Sequence, residues 1–300
     1  MQHHFYPLHA MDQYIVGIGE VLWDCFDDHR TLGGAPFNFS FHVHQFGFPS
    51  LAISAIGDDQ LGREIEQVSH VKGLDYLFPR LPYPTGQVHV QMDDKGVPSY
   101  TICEDRAWDH IPFLPSMPSI AQHTLAVCFG SLAQRNQDSR ASIYAFLDAM
   151  PADALRIFDI NLRLDYYYRE IIDSSLQRAN VLKLNEEELV VLQRMYDLAE
   201  MSQEEACRHL LQRYDLRYLI LTCGEDGSYV FTQEEVSFLP TPKVQLQDTV
   251  GAGDSFTAAF IASILRGKAL EEAHRVAVDV SAYVCTQSGA TPTLPSYLLN

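Results

Sequence analysis

A chain of 300 residues with 47% hydrophobic and 20% charged content is a folded globular chain rather than a disordered one, long enough for an α/β domain with an appendage. A net charge of −18 argues against nucleic acid and anionic membranes as partners, and no apolar run reaches the roughly 18 residues of a membrane span. The six cysteines form no C-x-x-C pair and the start has neither a basic region nor an apolar core, which points to reduced thiols and a cytoplasmic location.

Residues 1–11 read as a structureless or non-native extension, with Met11 a candidate start. Tyr14 to Ile18 is a short apolar run ending at Gly19-Glu20, the pattern of a buried first strand. Asp24 follows, then the polar bend Asp27-Asp28-His29-Arg30. Gly33-Gly34-Ala35-Pro36-Phe37-Asn38 opens a helix, with proline in the first turn where its missing N–H costs nothing. Leu51 to Ile56 is a second strand run, and a helix is expected over 60–70. Residues 83–106 differ in texture. Gln87 to Gln91 and Ser99 to Cys103 alternate apolar and polar about a turn at Asp93-Asp94-Lys95-Gly96, which predicts a hairpin with one wet face. With residues 22–32 it is expected to form a small β lid. Trp108 could stack on a flat ligand or anchor packing, and packing is the commoner use of a tryptophan.

From residue 124 strands and helices alternate. Strand runs at Leu125–Phe129, Arg156–Asp159, Asn180–Leu184 and Tyr218–Thr222 are interleaved with helices expected over 139–150, 252–266 and about 269–285, and with a hairpin over 228–239. This order predicts an α/β fold: a doubly wound, mostly parallel sheet with helices on both faces, as a single domain over 1–300. Asp159-x-Asn161-x-Arg163 lies at a strand end, where ligands of such sheets bind. Asn185 and Glu188 have the spacing of a capping box, enough to explain both; Ser202 and Glu205 repeat it with no chemistry attached. No P-loop, no dinucleotide-binding G-x-G-x-x-G after the first strand and no nucleophile elbow is present.

The stretch Asp248-Thr249-Val250-Gly251-Ala252-Gly253-Asp254-Ser255-Phe256 precedes a helical pattern. A glycine-lined helix entrance turns unpaired N–H groups toward an anion, most naturally a phosphate. Asp254 would repel that anion unless it is a base that takes a proton from a hydroxyl attacking the phosphorus. A plain helix cap explains the same spacing equally well.

The stretch also resembles the D-T-x-G-A-G-D-x-F signature of the ribokinase-like (PfkB) carbohydrate kinases, and GGAPFN is similar to that family's G-G-x-x-x-N. The resemblance covers nearly the whole chain. It implies a ribokinase-like fold, ATP as phosphoryl donor and magnesium as its metal. It assigns Gly251, Ala252 and Gly253 to an anion hole and Asp254 to the catalytic base. Asp24, Gly33, Gly34 and Asn38, with Trp108, Asn161 and Arg163, fall to the sugar. Lys183, Asn185, Thr222, Gly224 and Gly227 fall to the nucleotide, Asn185 and Glu188 to magnesium through water, and Asp248 to a monovalent cation such as potassium.

The GGAP run, Trp108-Asp109 and the acidic first loop resemble the fructokinase-like branch, which implies a free sugar, fructose first. Ribose, a 2-keto-3-deoxy sugar acid and other small polyols stay open, with Arg106 or Arg163 as the cation an acid would want. A non-catalytic sugar-binding regulator is the alternative of another class, marked by a lost base or a broken Gly-Ala-Gly; neither is seen. Phe37 stands where the family often has a small residue. A flat lid face often pairs with a second subunit, so a homodimer through the lid is left open.

Overall fold

Neighbouring residues of the central strands bury themselves on opposite sides of the sheet. In β1 (Tyr14–Ile18), Ile15 packs into one apolar cluster while Val16 and Ile18 pack into another. The same division separates Cys128 from Phe129 in β10 (Thr124–Phe129), Ile157 from Phe158 in β11 (Leu155–Asp159), Val181 from Leu182 in β12 (Val181–Asn185) and Ile220 from Leu221 in β13 (Tyr218–Cys223). Both faces being apolar, the strands must be covered on both sides. Helices α1 (Ala35–Gln45), α8 (Ala252–Leu265) and α9 (Leu270–Val284) cover one face. The other is covered by α3 (Met117–Gln122), α4 (Gln137–Asp148), α5 (Arg169–Leu176), α6 (Glu186–Met195) and α7 (Gln203–Arg213).

The computed structural model describes residues 13–92 and 98–299. The expectations for residues 1–11 and for the turn at Asp93-Asp94-Lys95-Gly96 lie outside the described residues. The main sheet runs β15-β14-β13-β12-β11-β10-β1-β4-β6, with β4 Ser50–Ile53, β6 Asp75–Leu77, β14 Gly227–Phe231 and β15 Val236–Leu239. Its strands are parallel from β6 to β13, and β14 and β15 are antiparallel. Connections leave β1 toward β4 and later resume from β10 on its other side. That reversal opens a crevice at the carboxyl ends of β1 and β10.

A second sheet, β3-β2-β8-β9, stands apart: β2 Leu22–Cys25, β3 Arg30–Gly33, β8 Gly86–Met92 and β9 Pro98–Ile102. Val88, Val90 and Ile102 are buried whereas His89 and Tyr100 are exposed, so one face is wet. The run Leu51–Ile56, expected as one strand, divides. After Ile53 the chain leaves the main sheet, and β5 (Ile56–Gly57) pairs instead with β7 (Arg80–Leu81) before α2 (Gln60–Val71) begins. Helix α4 starts two residues ahead of expectation because Asn136 caps it, accepting from Asp138 N. All six cysteines are free. Among the described residues no helix is long and apolar enough to cross a membrane.

Candidate active site

Helix α8 begins without a side-chain cap, although α2, α4, α6 and α7 each have one. Its N-cap is Gly251 at φ 78°, in the left-handed region where a Cβ is costly. The first-turn N–H groups therefore look to a ligand or to water. Ala252 N is partly engaged, donating to Thr249 O at 3.3 Å, a bond that must loosen before this amide can serve an anion. Asp254 lies in that first turn. Its Oδ2 accepts from Asn38 Nδ2 at 2.8 Å, so the helix opened by Gly33-Gly34 reaches this carboxyl directly. Burial pushes the Asp254 carboxyl up to about 6, aided by the charge of Asp159 and opposed by the Asn38 bond, Lys183 and Arg163.

Below this turn is a buried ion pair. Asp159 and Lys183 are register partners on neighbouring strands, and Lys183 Nζ donates to Asp159 Oδ1 at 3.1 Å. A Cβ on Gly253 would stand 2.8 Å from that ammonium. Burial opposes the charge on Lys183, but Asp159, Glu188 and Asp254 outweigh it and hold its pKa above the usual lysine value. Asn185 and Glu188 form a complete capping box, with Glu188 Oε2 accepting from Asn185 N at 2.8 Å and Asn185 Oδ1 accepting from Glu188 N at 2.8 Å. Glu188 Oε1 also accepts from Leu162 N at 2.9 Å, tying α6 to the segment after β11. Asn185, Glu188, Leu162 and Arg163 line a cavity of about 210 Å³.

On the side of the small sheet, Asp24 of β2 is half-buried and its carboxyl is raised to about 6 by burial, with Arg163 pulling it down and Asp248 pushing it up. A Cβ on Gly33 would stand 2.5 Å from Asp24 Oδ2, so the expected Asp24 and Gly33 do meet. Gly34, at φ 114°, caps α1 and lies against Glu20 O. Asn161, at φ 40°, and Arg163 follow β11; Arg163 is exposed and its charge is felt by Glu20, Asp24 and Asp254.

Other expected residues are engaged with their neighbours. Thr222 pairs with Ser228 across β13–β14, Gly224 O accepts from Thr241 Oγ1 at 2.7 Å, and Gly227 turns the hairpin against Leu239. Asp248 accepts from Val250 N and Gly289 N, each at 3.0 Å, which fastens the signature to the loop after α9. Trp108 requires a correction. It is fully buried, 0% exposed, in the core with the Arg135 guanidinium 4.1 Å from its ring centroid, so no face is open to a sugar. Arg135 in turn is bidentate to buried Asp109 and donates to Cys103 O, which makes Ala107–His110 the root of the small sheet.

Glu20 escaped the sequence reading. It is 2% exposed, and burial together with the nearby Asp254 charge raises its carboxyl to about 7. Its Oε2 is buried without a hydrogen-bond partner. The signal was an acidic residue at the end of an apolar strand, just where the crevice opens. Asp159 was visible in the D-x-N-x-R segment, but its pairing with Lys183 depends on strand register and is not written in the spacing.

A carboxylate oriented by an amide at an anion-receptive helix entrance, beside a buried ammonium, suits the movement of a phosphoryl group onto an alcohol. The class is that of the α/β phosphotransferases. The profile of the pfkB family carbohydrate kinases matches residues 9–296, and the chain belongs to that family. A fructokinase of Salmonella typhimurium is 30% identical over 278 residues, covering 88% of this chain and 88% of that protein. An ATP-dependent 6-phosphofructokinase of Thermoanaerobacterium thermosaccharolyticum is 25% identical over 302 residues, covering 94% and 90%. The solved structure of an uncharacterized sugar kinase from Pyrococcus horikoshii in complex with ATP superposes with a TM-score of 0.78 at 25% identity, covering 92% of this chain and 94% of that one. The protein is thus a carbohydrate kinase with a ribokinase-like fold.

Proposed function

We propose that this kinase phosphorylates a free, uncharged sugar, with fructose as its foremost substrate. The observation that carries this reading is the acidity of the acceptor side. Glu20, Asp24 and Asp254 converge there with Arg163 as the cation whose charge reaches all three. A sugar phosphate or sugar acid would meet carboxylates, whereas the hydroxyls of a polyol can donate to them. The similarity to a fructokinase supports the choice of sugar.

Asp24 accepts from sugar hydroxyls beside the Gly33-Gly34 backbone, and Asn38 keeps the Asp254 carboxylate aimed at the reacting hydroxyl. Asp254 takes the hydroxyl proton as that oxygen bonds to the γ-phosphorus of ATP and the bond to the β-phosphate oxygen breaks, releasing ADP. First-turn amides from Gly251 to Gly253, with Lys183 below and Arg163 at the rim, receive the charge on the transferred group. Among the described residues no cluster of three metal-ligating side chains occurs. Magnesium, held mainly by phosphates and water as is usual for this ion, fits such a site, with Asn185 and Glu188 behind its waters. When bound it neutralises phosphate charge. The small sheet closes over the sugar and keeps water from the phosphoryl group. Asp248, already bonded to two amides, is the side chain proposed to face a monovalent cation.

The test is ADP release measured over fructose, ribose, a 2-keto-3-deoxy sugar acid and fructose 6-phosphate. The highest kcat/KM is expected for fructose. A preference for either anionic substrate would overturn the proposed specificity.

A further inference from the structure

One buried titratable group on α1 takes no part in the chemistry above. His42 lies one turn beyond Asn38 on the same face of the helix and is 0% exposed. Its Nε2 donates to Ala290 O at 2.9 Å. Burial pulls its imidazole down to about 4, so the ring is neutral and its proton is on the nitrogen that meets the carbonyl. The same residue presses on the signature turn: a Cβ on Gly251 would stand 2.6 Å from Ala290 O and 2.7 Å from Ala290 Cα.

Two more side chains fasten this loop. Gln45 Nε2 donates to Pro292 O at 3.2 Å while its Oε1 accepts from Leu294 N at 2.7 Å. Lys72 Nζ donates to Thr291 O at 3.0 Å. The loop after α9 is therefore held from the sugar-side helix by His42 and Gln45, and from the end of α2 by Lys72. It forms the wall against which Gly251 rests.

We propose that His42 is a positioning residue for the phosphate-receiving turn, fixing Gly251 through Ala290, so that α1 sets both the base and the anion donors. This rests on the reading of Gly251 to Gly253 as the phosphoryl site. Asn38 and His42 would then divide the work of one helix. The first aims the proton acceptor and the second locates the amides that precede the first helical bond of α8, from Ser255 N to Gly251 O. A merely structural histidine would loosen the fold and weaken both substrates together. A positioning histidine acts on the nucleotide side.

The experiment compares the full chain with His42→Phe, which keeps ring volume but no donor, and with His42→Gln, whose amide nitrogen stands near the Nε2 position. Steady-state kinetics with fructose and MgATP are read beside calorimetric binding of a non-hydrolysable ATP analogue that keeps the γ-phosphate. For His42→Phe, kcat is expected to fall about tenfold and the KM for ATP and the Kd for the analogue to rise about fivefold, with the KM for fructose changed less than about twofold. His42→Gln is expected to recover most of the loss. Should His42→Phe not fold, Lys72→Met, which frees the neighbouring carbonyl, carries the test with the same pattern at smaller size. Unchanged nucleotide parameters, an equal rise in both KM values, or a glutamine variant as impaired as phenylalanine overturns the proposal. Near-normal turnover by Asp254→Asn would instead strike the underlying phosphoryl-site reading, so the two failures are told apart.

Discussion

Asn38 Nδ2 donates to Asp254 Oδ2 at 2.8 Å across 216 residues of sequence, joining the first glycine motif to the last. This donor favours the ionised carboxylate, which burial alone would push further from its ordinary range. On the proposed mechanism Asp254 serves as base only when deprotonated, so kcat/KM should rise with pH and level off above about 6. Asn38→Ala removes the donor and should move that acidic limb upward by about half to one pH unit, with a lower plateau. A pH–rate profile of the two proteins checks it; a limb that stays in place would mean another group limits the rate.

Replacing the proposed base itself separates binding from chemistry. Asp254→Asn keeps the shape and the contact with Asn38 but cannot take a proton. A loss of at least about a hundredfold in kcat is expected, with ATP and sugar affinity within a few fold. Single-turnover kinetics and calorimetry on the same preparation measure both.

The two glycines of the signature should not respond alike to alanine. At Gly251 the new methyl meets backbone, Ala290 O at 2.6 Å and Ala290 Cα at 2.7 Å, on a residue at φ 78°. At Gly253 it meets the end of a side chain, Lys183 Nζ at 2.8 Å. Gly251→Ala should therefore destabilise by roughly 2 kcal/mol or more, adding overpacking to left-handed strain. Gly253→Ala should cost less stability, yet raise the KM for ATP by displacing the ammonium from Asp159. Thermal unfolding and ATP titrations of both variants decide the order.

Glu20 makes the pH dependence of stability testable. Folded, it keeps its proton up to about 7, against an ordinary glutamate value of 4.5. Between those values the native chain binds more protons than the unfolded one, so this group lowers stability as pH rises through the window. Glu20→Gln cannot ionise and can still accept the Ala35 N–H. It should match the parent near pH 4 and exceed it by on the order of 3 kcal/mol at pH 8. Denaturant melts at the two pH values test this, and a gap of equal size at both would show that ionisation is not the cause.

Most of the architecture could be read because apolar runs and helix caps are local. Tyr14 to Ile18, the capping box of Asn185 and Glu188 and the uncapped Gly-Ala-Gly entrance each declare themselves within a few residues. The break between Ile53 and Ile56 was hidden because both halves are equally apolar and only the choice of pairing partner separates them. Trp108 was ambiguous for a similar reason: a large ring suits a core or a ligand, and burial under Arg135 is decided by residues 27 positions away in sequence. Glu20, Asp159 and His42 acquire meaning only from what the fold lays beside them: a second carboxyl, an ammonium and a carbonyl.

The carboxyls of Glu20 and Asp24 have a bearing on how a catalytic cycle ends. On the reading of an uncharged acceptor, the sugar arrives without repulsion and departs bearing about −1.5 to −2 charges on its new phosphate. Walls that welcome the reactant thus disfavour what it becomes, and as those acids shed their protons the pocket helps to empty itself for the next round.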